Sequence, residues 1–345
     1  MRPEKPQRLR LINEALIREA LSSRGEATTA DLVEDTGLSQ TTVGQILDQM
    51  HRGNIICETD KRASSGGRRA AAWVLNPKAW SSIALSIERD GLAWGIANAL
   101  GTLTSQGTRI VKGDPLAAAL ELAVELKAEV ENDGGGRKAL AVGVPATVQA
   151  GKVLTGEFLG SWADLDLEEV FAKKTLMSVV VENDLNAIAL GYLRLAEASG
   201  YKIHSLVFIH FNGGACIGSG LVLEGKVFRG AANYSGELGY LPMGDGRILD
   251  DLMLAADSDE RFVDTIVSAL RIVNCVVNPA LLVVGGRGFR FDLGDDIDRA
   301  FKALVEERVR PSLVFVPDSR PYYMAGLAGL AAERIFPLFK ITAAD

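Results

Sequence analysis

Apolar residues at Ile12, Ala15, Leu16 and Ala20 recur at i, i+3, i+4 and i+8, the spacing that lays one stripe along an α-helix. That helix should stop near Gly25. Thr28, Thr29, Ala30 and Asp31 form a capping-box-like start for a short second helix with Leu32 and Val33 inward. Gly37 ends it, because glycine can take the left-handed conformation beyond a C-cap. Ser39 caps a third helix whose buried stripe is Val43, Ile46, Leu47 and Met50. After Gly53 come a strand over Ile55–Thr59, a polar segment at 61–69 and an apolar strand over Ala70–Leu75. The first 75 residues therefore read as three helices and a hairpin.

Asn76 and Pro77 break the chain, and a different pattern begins. Ser82–Ile87, Gly91–Ala97 and Thr102–Val111 form a three-strand meander, and Ser205–Phe211, Gly218–Leu223 and Lys226–Phe228 repeat it. Each meander is followed by alternating helices and strands. After the first come a helix capped by Asp114 with Pro115 at its first position, strands Ala139–Val144 and Ser178–Val181, and helix Leu185–Leu195. After the second come helix Arg261–Val277, strand Leu281–Val284, and helices Ile297–Val309 and Ala325–Phe336. Two similar α/β halves predict a duplicated two-lobed fold, an arrangement that usually holds a ligand between its lobes.

A length of 345 residues suffices for two or three domains. The longest apolar runs, Leu281–Val284 and Met324–Ala332, are short or broken by Gly, so no bilayer span is expected. Arg2, Lys5, Arg8 and Arg10 are not followed by a signal-type apolar region, and a cytoplasmic location is expected. Three scattered cysteines (Cys57, Cys216, Cys275) suit neither a disulfide framework nor a four-ligand zinc site. The net charge of −7 disfavours nucleic acid at first sight, but its distribution changes the picture. Residues 1–70 hold 11 Lys and Arg against 10 Asp and Glu, while the rest of the chain is strongly acidic. A local basic patch on an acidic protein can bind phosphate while the remainder suppresses binding elsewhere.

Opposite the buried stripe, the third helix carries Gln40, Thr41, Thr42, Gln45 and Gln49. Such side chains can donate to phosphates and read base edges, and equally suit a solvated face. Two features favour DNA. A tight Gly-containing turn joins helices two and three, and the hairpin carries a basic, Gly/Ser-rich tip with Lys61, Arg62, Gly66, Gly67, Arg68 and Arg69. The whole is a winged helix-turn-helix for double-stranded DNA, with Ser39 capping the reading helix and Arg68 and Arg69 at the wing.

Family features now accumulate along the chain: Ser64-Ser-Gly-Gly-Arg68, Val144-Pro145, Leu159-Gly-Ser-Trp162, Glu182-Asn-Asp-Leu-Asn-Ala187, Gly218-Ser-Gly220, Gly230 with Gly236-Glu-Leu-Gly239, and Asn278-Pro279 with Val284-Gly-Gly286. In this order and spacing they resemble the ROK family of transcriptional repressors and sugar kinases. The resemblance implies an actin-like, hexokinase-like ATPase fold behind a DNA-binding domain. The expected division is a winged helix-turn-helix over 1–76 and a ROK domain over 77–345. Lobe one would take about 77–190 with the C-terminal helix from 324, and lobe two 191–323.

The resemblance also says what the chain lacks. Where the family's kinases carry a small phosphate-cradling turn, this chain has Ser86-Ile-Glu-Arg-Asp90, placing Glu88 and Asp90 where phosphate should approach. The second phosphate loop reads Gly214-Ala-Cys-Ile-Gly-Ser-Gly220, so Ala215 and Cys216 replace a hydroxyl and a glycine. Asp184 matches the family's general base, but a base without a phosphate donor transfers nothing; the expectation is a regulator that is not an enzyme and uses no cofactor. On the residues alone, Asp184 reads as a helix cap and Glu237 as a solvated loop glutamate. The resemblance makes Asn183, Asp184 and Glu237 contacts for a sugar-like effector, with Tyr240 where the family has a sugar- and zinc-binding histidine. The family's cysteine segment is missing from Leu241–Arg261, so no structural zinc is expected. His210 is read as a core or edge histidine, Cys216 as a small buried hydrophobe. A homodimer or higher homo-oligomer would match a palindromic operator. A carbohydrate kinase with a regulatory N-terminal domain and an effector-independent DNA-binding protein are the alternatives.

Overall fold

The computed structural model describes residues 5–59, 71–89, 91–133, 136–156, 162–213, 216–244 and 246–336. The chain opens with α1 (Lys5–Arg24), the short strand β1 (Ala27–Thr28), α2 (Thr29–Thr36) and α3 (Gln40–Arg52). β2 (Ile56–Thr59) and β3 (Ala72–Leu75) follow, and the three strands pair antiparallel in the order β1-β3-β2. Side chains set the ends of these helices. Thr28 Oγ1 accepts from the Asp31 N–H while the Asp31 carboxylate accepts from the Thr28 N–H at 2.8 Å, closing a capping box. Gly37 ends α2 at φ 67°, in the left-handed region, and Ser39 Oγ accepts from the Thr42 N–H to start α3.

The buried face of α1 differs from the expected stripe. Ile17, Leu21 and Glu14 are buried, whereas Leu16 stands 38% exposed. The helix is rolled because its inner face must meet two neighbours at once. Ile17 and Leu21 join Leu32, Val43, Leu47 and Met50, while Arg18 reaches Phe336 from the far end of the chain.

The first α/β half holds β4 (Trp80–Glu88), β5 (Gly91–Ala97), β6 (Leu103–Ile110), α4 (Pro115–Asn132), β7 (Arg137–Val144), the hairpin β8 (Ala146–Gln149) and β9 (Lys152–Gly156), α5 (Leu167–Thr175), β10 (Ser178–Asn183) and α6 (Asp184–Ala198). The second holds β11 (Ser205–Phe211), β12 (Ile217–Leu223), β13 (Lys226–Val227), β14 (Pro242–Gly244), β15 (Arg247–Ile248), α7 (Leu249–Leu254), α8 (Asp259–Val277), β16 (Leu281–Gly285), α9 (Gly294–Leu304), β17 (Ser312–Val316) and α10 (Arg320–Ile335). The sheets run β10-β7-β4-β5-β6 and β17-β16-β11-β12-β13. In each, an antiparallel meander joins two further parallel strands beside its first strand, so the duplication read from the meanders extends to whole sheets.

Between the sheets lie α6 and α10. The inward faces of the first sheet are small (Ala84, Ala93, Ala97, Ala139, Ala141), which lets the helices sit close. The outward faces, with Ile83, Leu85 and Ile87 in the first half and Val207, Ile209 and Leu282 in the second, carry α4 and α5 on one side and α8 and α9 on the other. α6 and α10 cross backbone to backbone: a Cβ on Gly191 would lie 1.7 Å from the Tyr322 carbonyl oxygen.

Several boundaries depart from the sequence reading. α10 begins at Arg320 instead of Ala325, with Pro321 in its first turn, where its fixed φ suits a helix start. α9 stops at Leu304, and Glu307–Val309 is a separate 3-10 turn. Helix α5, hairpin β8–β9 and strand β17 lay outside the expectation. Cys216 is half-buried rather than buried.

Candidate functional site

Two regions bring the expected residues together. On α3, Gln40, Thr41 and Gln45 are exposed, and Thr42 and Gln49 half-buried. Ser39 is committed to the cap, sharing a 2.8 Å hydrogen bond with the Thr42 hydroxyl as well. The amide-bearing face continues into a groove of about 580 Å³ against α1, lined by Leu9, Arg10 and Asn13 opposite Gln45, Gln49 and Arg52. α1's share of this surface is not legible in the sequence, because it depends on how α1 packs against α3. Arg52 also holds Asp48 at 3.1 Å, which offsets the acidic group on that face. β2 and β3 pair antiparallel, and residues 60–70 connect them in sequence. Lys61, Arg62, Gly66, Gly67, Arg68 and Arg69 lie outside the described residues, as do Asp90, Leu159, Gly160, Ser161, Gly214 and Ala215.

The second region is the cleft at the carboxyl ends of the parallel strands, where open α/β sheets place their ligands. Asn183 ends β10 and caps α6: its Oδ1 accepts from the Asn186 N–H at 3.0 Å. Its amide group donates to the Ala146 carbonyl and to Asp184 Oδ1, both at 3.1 Å. The cap is thus Asn183 and not Asp184, and both amide hydrogens of Asn183 are engaged within the chain. Asp184 Oδ1 also accepts from the Leu185 N–H at 2.8 Å. Burial pushes the Asp184 carboxyl up to about 7, against that hydrogen bond, with the carboxylates of Glu237 and Glu88 adding to the rise.

Glu88, at the end of β4, accepts from the Ser86 hydroxyl at 3.0 Å. Glu182 is buried and paired with Arg229, and it takes Asn186 Nδ2 at 3.0 Å and the Asn183 N–H at 3.1 Å. Glu237 and Tyr240 lie on the second half, the first just before and the second at the end of a 3-10 turn at Leu238–Tyr240, and both are exposed. Although the residue as a whole is exposed, partial desolvation of its carboxyl raises Glu237, and the nearby Asp250 adds to the rise. Ser219 Oγ donates to the Gly236 carbonyl at 3.1 Å, and Asp250 accepts from the Ile217 N–H at 3.1 Å; a Cβ on Gly239 would strike the Asp250 carboxylate. This explains the small residues of the Gly236–Gly239 segment. Tyr234 and Tyr240 face one another with ring centroids 6.3 Å apart.

His210 lies at the end of β11, half-buried, with Nε2 3.1 Å from the Ser319 hydroxyl at the start of α10. Burial holds its pKa down at about 4, so it is neutral at physiological pH. Two residues beyond the sequence reading join this group: Arg229 pairs with Glu182, and the buried Tyr323 lies near enough to Asp184, Glu88 and Glu182 for their charges to raise its phenol. Pro321 was the available signal for Tyr323, since a helix begun there places 323 in its first turn. Among the described residues no cluster of His, Cys, Asp or Glu is arranged to hold a metal ion, and no helix is long and apolar enough to cross a membrane.

Comparison with known proteins gives this arrangement its relatives. Residues 114–255 match the model of the ROK family. The xylose repressor of Bacillus spizizenii is 23% identical over 234 residues, 67% of this chain and 60% of the repressor. The DNA-binding transcriptional dual regulator NagC of Escherichia coli is 24% identical over 252 residues, 68% of this chain and 59% of its own length. The chain thus spans about 60% of the length of these curated relatives. Among solved structures, a ROK family transcriptional regulator homologous to the E. coli MLC protein superposes with a TM-score of 0.78 at 18% identity, over 96% of this chain and 98% of that one. A ROK family glucokinase from Streptomyces griseus, solved with glucose and AMPPNP, superposes with a TM-score of 0.56 at 17% identity, over 73% of this chain and 99% of the glucokinase. The kinase likeness covers less of the chain than the regulator likeness does. The chain thus carries a ROK family domain over residues 114–255, within an actin-like fold that stands behind an N-terminal helical unit.

Proposed function

We propose that this chain is a sequence-specific DNA-binding transcriptional regulator of the ROK type, with a cleft that takes a sugar-like effector and no longer transfers phosphate. The observation that carries the reading is the N-terminal unit itself. A doubly capped helix pair presents Gln40, Thr41, Gln45 and Gln49 outward beside a sheet whose connection is the basic segment 61–69. In this reading α3 enters the major groove and Arg68 and Arg69 meet the backbone or minor groove. Xylose and N-acetylglucosamine are named for repressors among the relatives, which supports a carbohydrate as the effector class. Two copies would match a palindromic operator, and the regulator would work in the cytoplasm.

Loss of kinase chemistry follows from charge. Glu88 stands where a polyphosphate would approach, and Asp184 and Glu237 add to the negative field. The retained Asp184, near neutral pKa, favours a second reading as a carbohydrate kinase. Sugar-dependent ADP release abolished by Asp184→Asn would support that one.

The test of the first reading is fluorescence anisotropy with DNA from upstream of the chain's own gene, against excess nonspecific DNA at fixed salt. Saturable binding that survives the competitor is expected. Arg68→Ala with Arg69→Ala should weaken binding to all DNA and flatten its salt dependence, while Gln45→Ala should affect specific sites more than random ones. An unchanged salt dependence in the double variant would remove the wing from the interface.

A further inference from the structure

Ser86, Gly143 and Glu182 stand in register on β4, β7 and β10, so they share one face of the first sheet, the face that α10 covers. Gly143 leaves a gap in that face, and Tyr323 fills it: a Cβ at 143 would lie 2.2 Å from the phenol oxygen. Tyr323 is only 6% exposed, and among the described residues its hydroxyl has no hydrogen-bond partner. An unsatisfied buried hydroxyl costs on the order of 1–3 kcal/mol, so natural chains rarely leave one without a use.

The surroundings of that hydroxyl are carboxylates. Glu88 lies two residues beyond Ser86 and therefore on the same face, while Asp184 follows directly from β10. Glu182 is neutralised by Arg229, but among the described residues no ion pair engages Glu88 or Asp184. Arg89, beside Glu88, is exposed and has an interaction of its own. A neutral sugar could accept from or donate to these groups, yet it would leave two shielded carboxylates uncompensated. Phosphate is disfavoured outright. No cluster suits a metal ion among the described residues.

Building on the cleft-ligand reading above, we propose that the effector is a small polyhydroxylated molecule carrying a protonated primary amine, with its ammonium seated between Glu88, Asp184 and the Tyr323 hydroxyl. An ammonium has three N–H donors, and the site supplies three acceptors: two carboxylates and the unpartnered phenol oxygen. The hydroxyls of the ligand would then meet Glu237 and Tyr240 across the cleft.

Binding carries a proton signature. Burial raises the Asp184 carboxyl to about 7, so it is partly protonated at neutral pH, and an arriving cation would ionise it and expel that proton. The charged and titratable groups around the site are Glu88 from β4, with the exposed Arg89 next along the chain, Glu182 with Arg229, Asp184 from α6, Tyr323 from α10, and Glu237 with Asp250 near it; His210, neutral, stands near the end of β11.

Isothermal titration calorimetry of the full chain with glucosamine, galactosamine and mannosamine tests this, using glucose and N-acetylglucosamine as neutral counterparts. Titrations at pH 7 in two buffers of different ionisation enthalpy read the proton. The expected result is one amino sugar bound at least about tenfold more tightly than both neutral sugars, with proton release. Glu88→Gln should remove the preference for the amine. Tyr323→Phe should weaken amine binding without lowering the thermal midpoint, because the lost hydroxyl has no partner among the described residues. A neutral sugar binding as tightly as every amine, or a preference that survives both Glu88→Gln and Asp184→Asn, overturns the assignment of the cation seat. Absence of binding by all three amines up to about 10 mM does so too. Operator binding in the same samples, measured with no sugar, reports separately on the regulator reading.

Discussion

Replacing Gly191 by Ala tests whether the crossing of α6 and α10 holds the two halves together. α6 packs on the second sheet and α10 on the first, and they meet at Gly191 and Gly326. A Cβ at 191 would lie 1.7 Å from the Tyr322 carbonyl oxygen, and one at 326 would lie 1.9 Å from the Ala187 carbonyl oxygen. Both obstacles are backbone, which cannot swing aside. Restoring ordinary contact near 3.5 Å requires the helices to part by roughly 1.5–2 Å, and a gap of half that size already forfeits a quarter to a half of each dispersion well. The contacts at risk belong to buried Ala187, Leu190, Tyr323 and Leu327, where a fully buried apolar side chain contributes about 1.5–3 kcal/mol. The loss is then roughly 3 kcal/mol, against about 1 kcal/mol gained because Ala favours a helix over Gly. Net destabilisation should be about 2 kcal/mol. Gly44→Ala is the control: it makes the same change inside α3, where a Cβ meets nothing within 4 Å, and should stabilise. Urea midpoints by tryptophan fluorescence compare the two. A Gly191→Ala chain as stable as Gly44→Ala would refute the argument that backbone contact sets this crossing.

Three further outcomes follow from the same geometry. The Asp184 carboxyl titrates at about 7 in the folded chain against 3.8 for the ordinary group, so the folded state binds that proton more tightly between those values. Its contribution to stability is therefore full below pH 4 and lost as pH rises toward 7. Asp184→Asn should flatten this slope and gain on the order of 2–4 kcal/mol at pH 8, and parallel pH–stability curves for the two proteins would contradict it. Phe336→Ala removes the ring packed edge-on against Trp80 and lying beneath the guanidinium groups of Arg18 and Arg137. It should cost about 3 kcal/mol and split thermal unfolding so that the N-terminal unit melts first; one unsplit transition at the parent temperature would count against the joint. Thr28→Ala breaks the α2 capping box and should cost about 1 kcal/mol, read from chemical denaturation.

Where local chemistry decides an element, the sequence declares it. The Thr28–Asp31 box, the left-handed Gly37, the Ser39 cap and the stripe Val43, Ile46, Leu47 and Met50 all appear as expected, because each rests on residues within one or two turns. The face of α1 was misjudged because it is chosen by Phe336, more than 300 residues away, which no local pattern announces. Strand β17 is not legible in the sequence, since a short apolar run after Pro311 reads equally as loop until β16 lies beside it. The cleft was legible at Asn183, Asp184 and Glu237 only through the family's motifs. What those motifs could not convey is that Asn183 spends its amide on Ala146, Asp184 and Asn186, or that Tyr323 closes over Gly143. Those facts depend on register between strands and on where a distant helix begins.

In the proposed regulator, α10 is the element through which the cleft and the N-terminal unit must communicate, and its packing restricts how. At one end Ser319 meets His210 and Tyr323 stands over Gly143; just past the other, Phe336 is held by Arg18, Arg137 and Trp80. The 16-residue helix is about 24 Å long and lies along β4 and β7, so sliding it would strip Tyr323 and Leu327 from the small residues beneath them. Tilting the second half about the Gly191–Gly326 crossing disturbs much less, because the two glycines offer no side chains to interlock. A ligand that engages Glu88 and Asp184 on one side and Glu237 on the other binds best at one tilt, and this differential affinity is the only means by which it can shift the equilibrium. Since the N-terminal unit shares a core with Trp80 and Phe336, it moves with the first half. Were the proposed regulator a dimer, the change reaching DNA would then be a change in how two such first halves are spaced, rather than a loosening of the reading helix on its own chain.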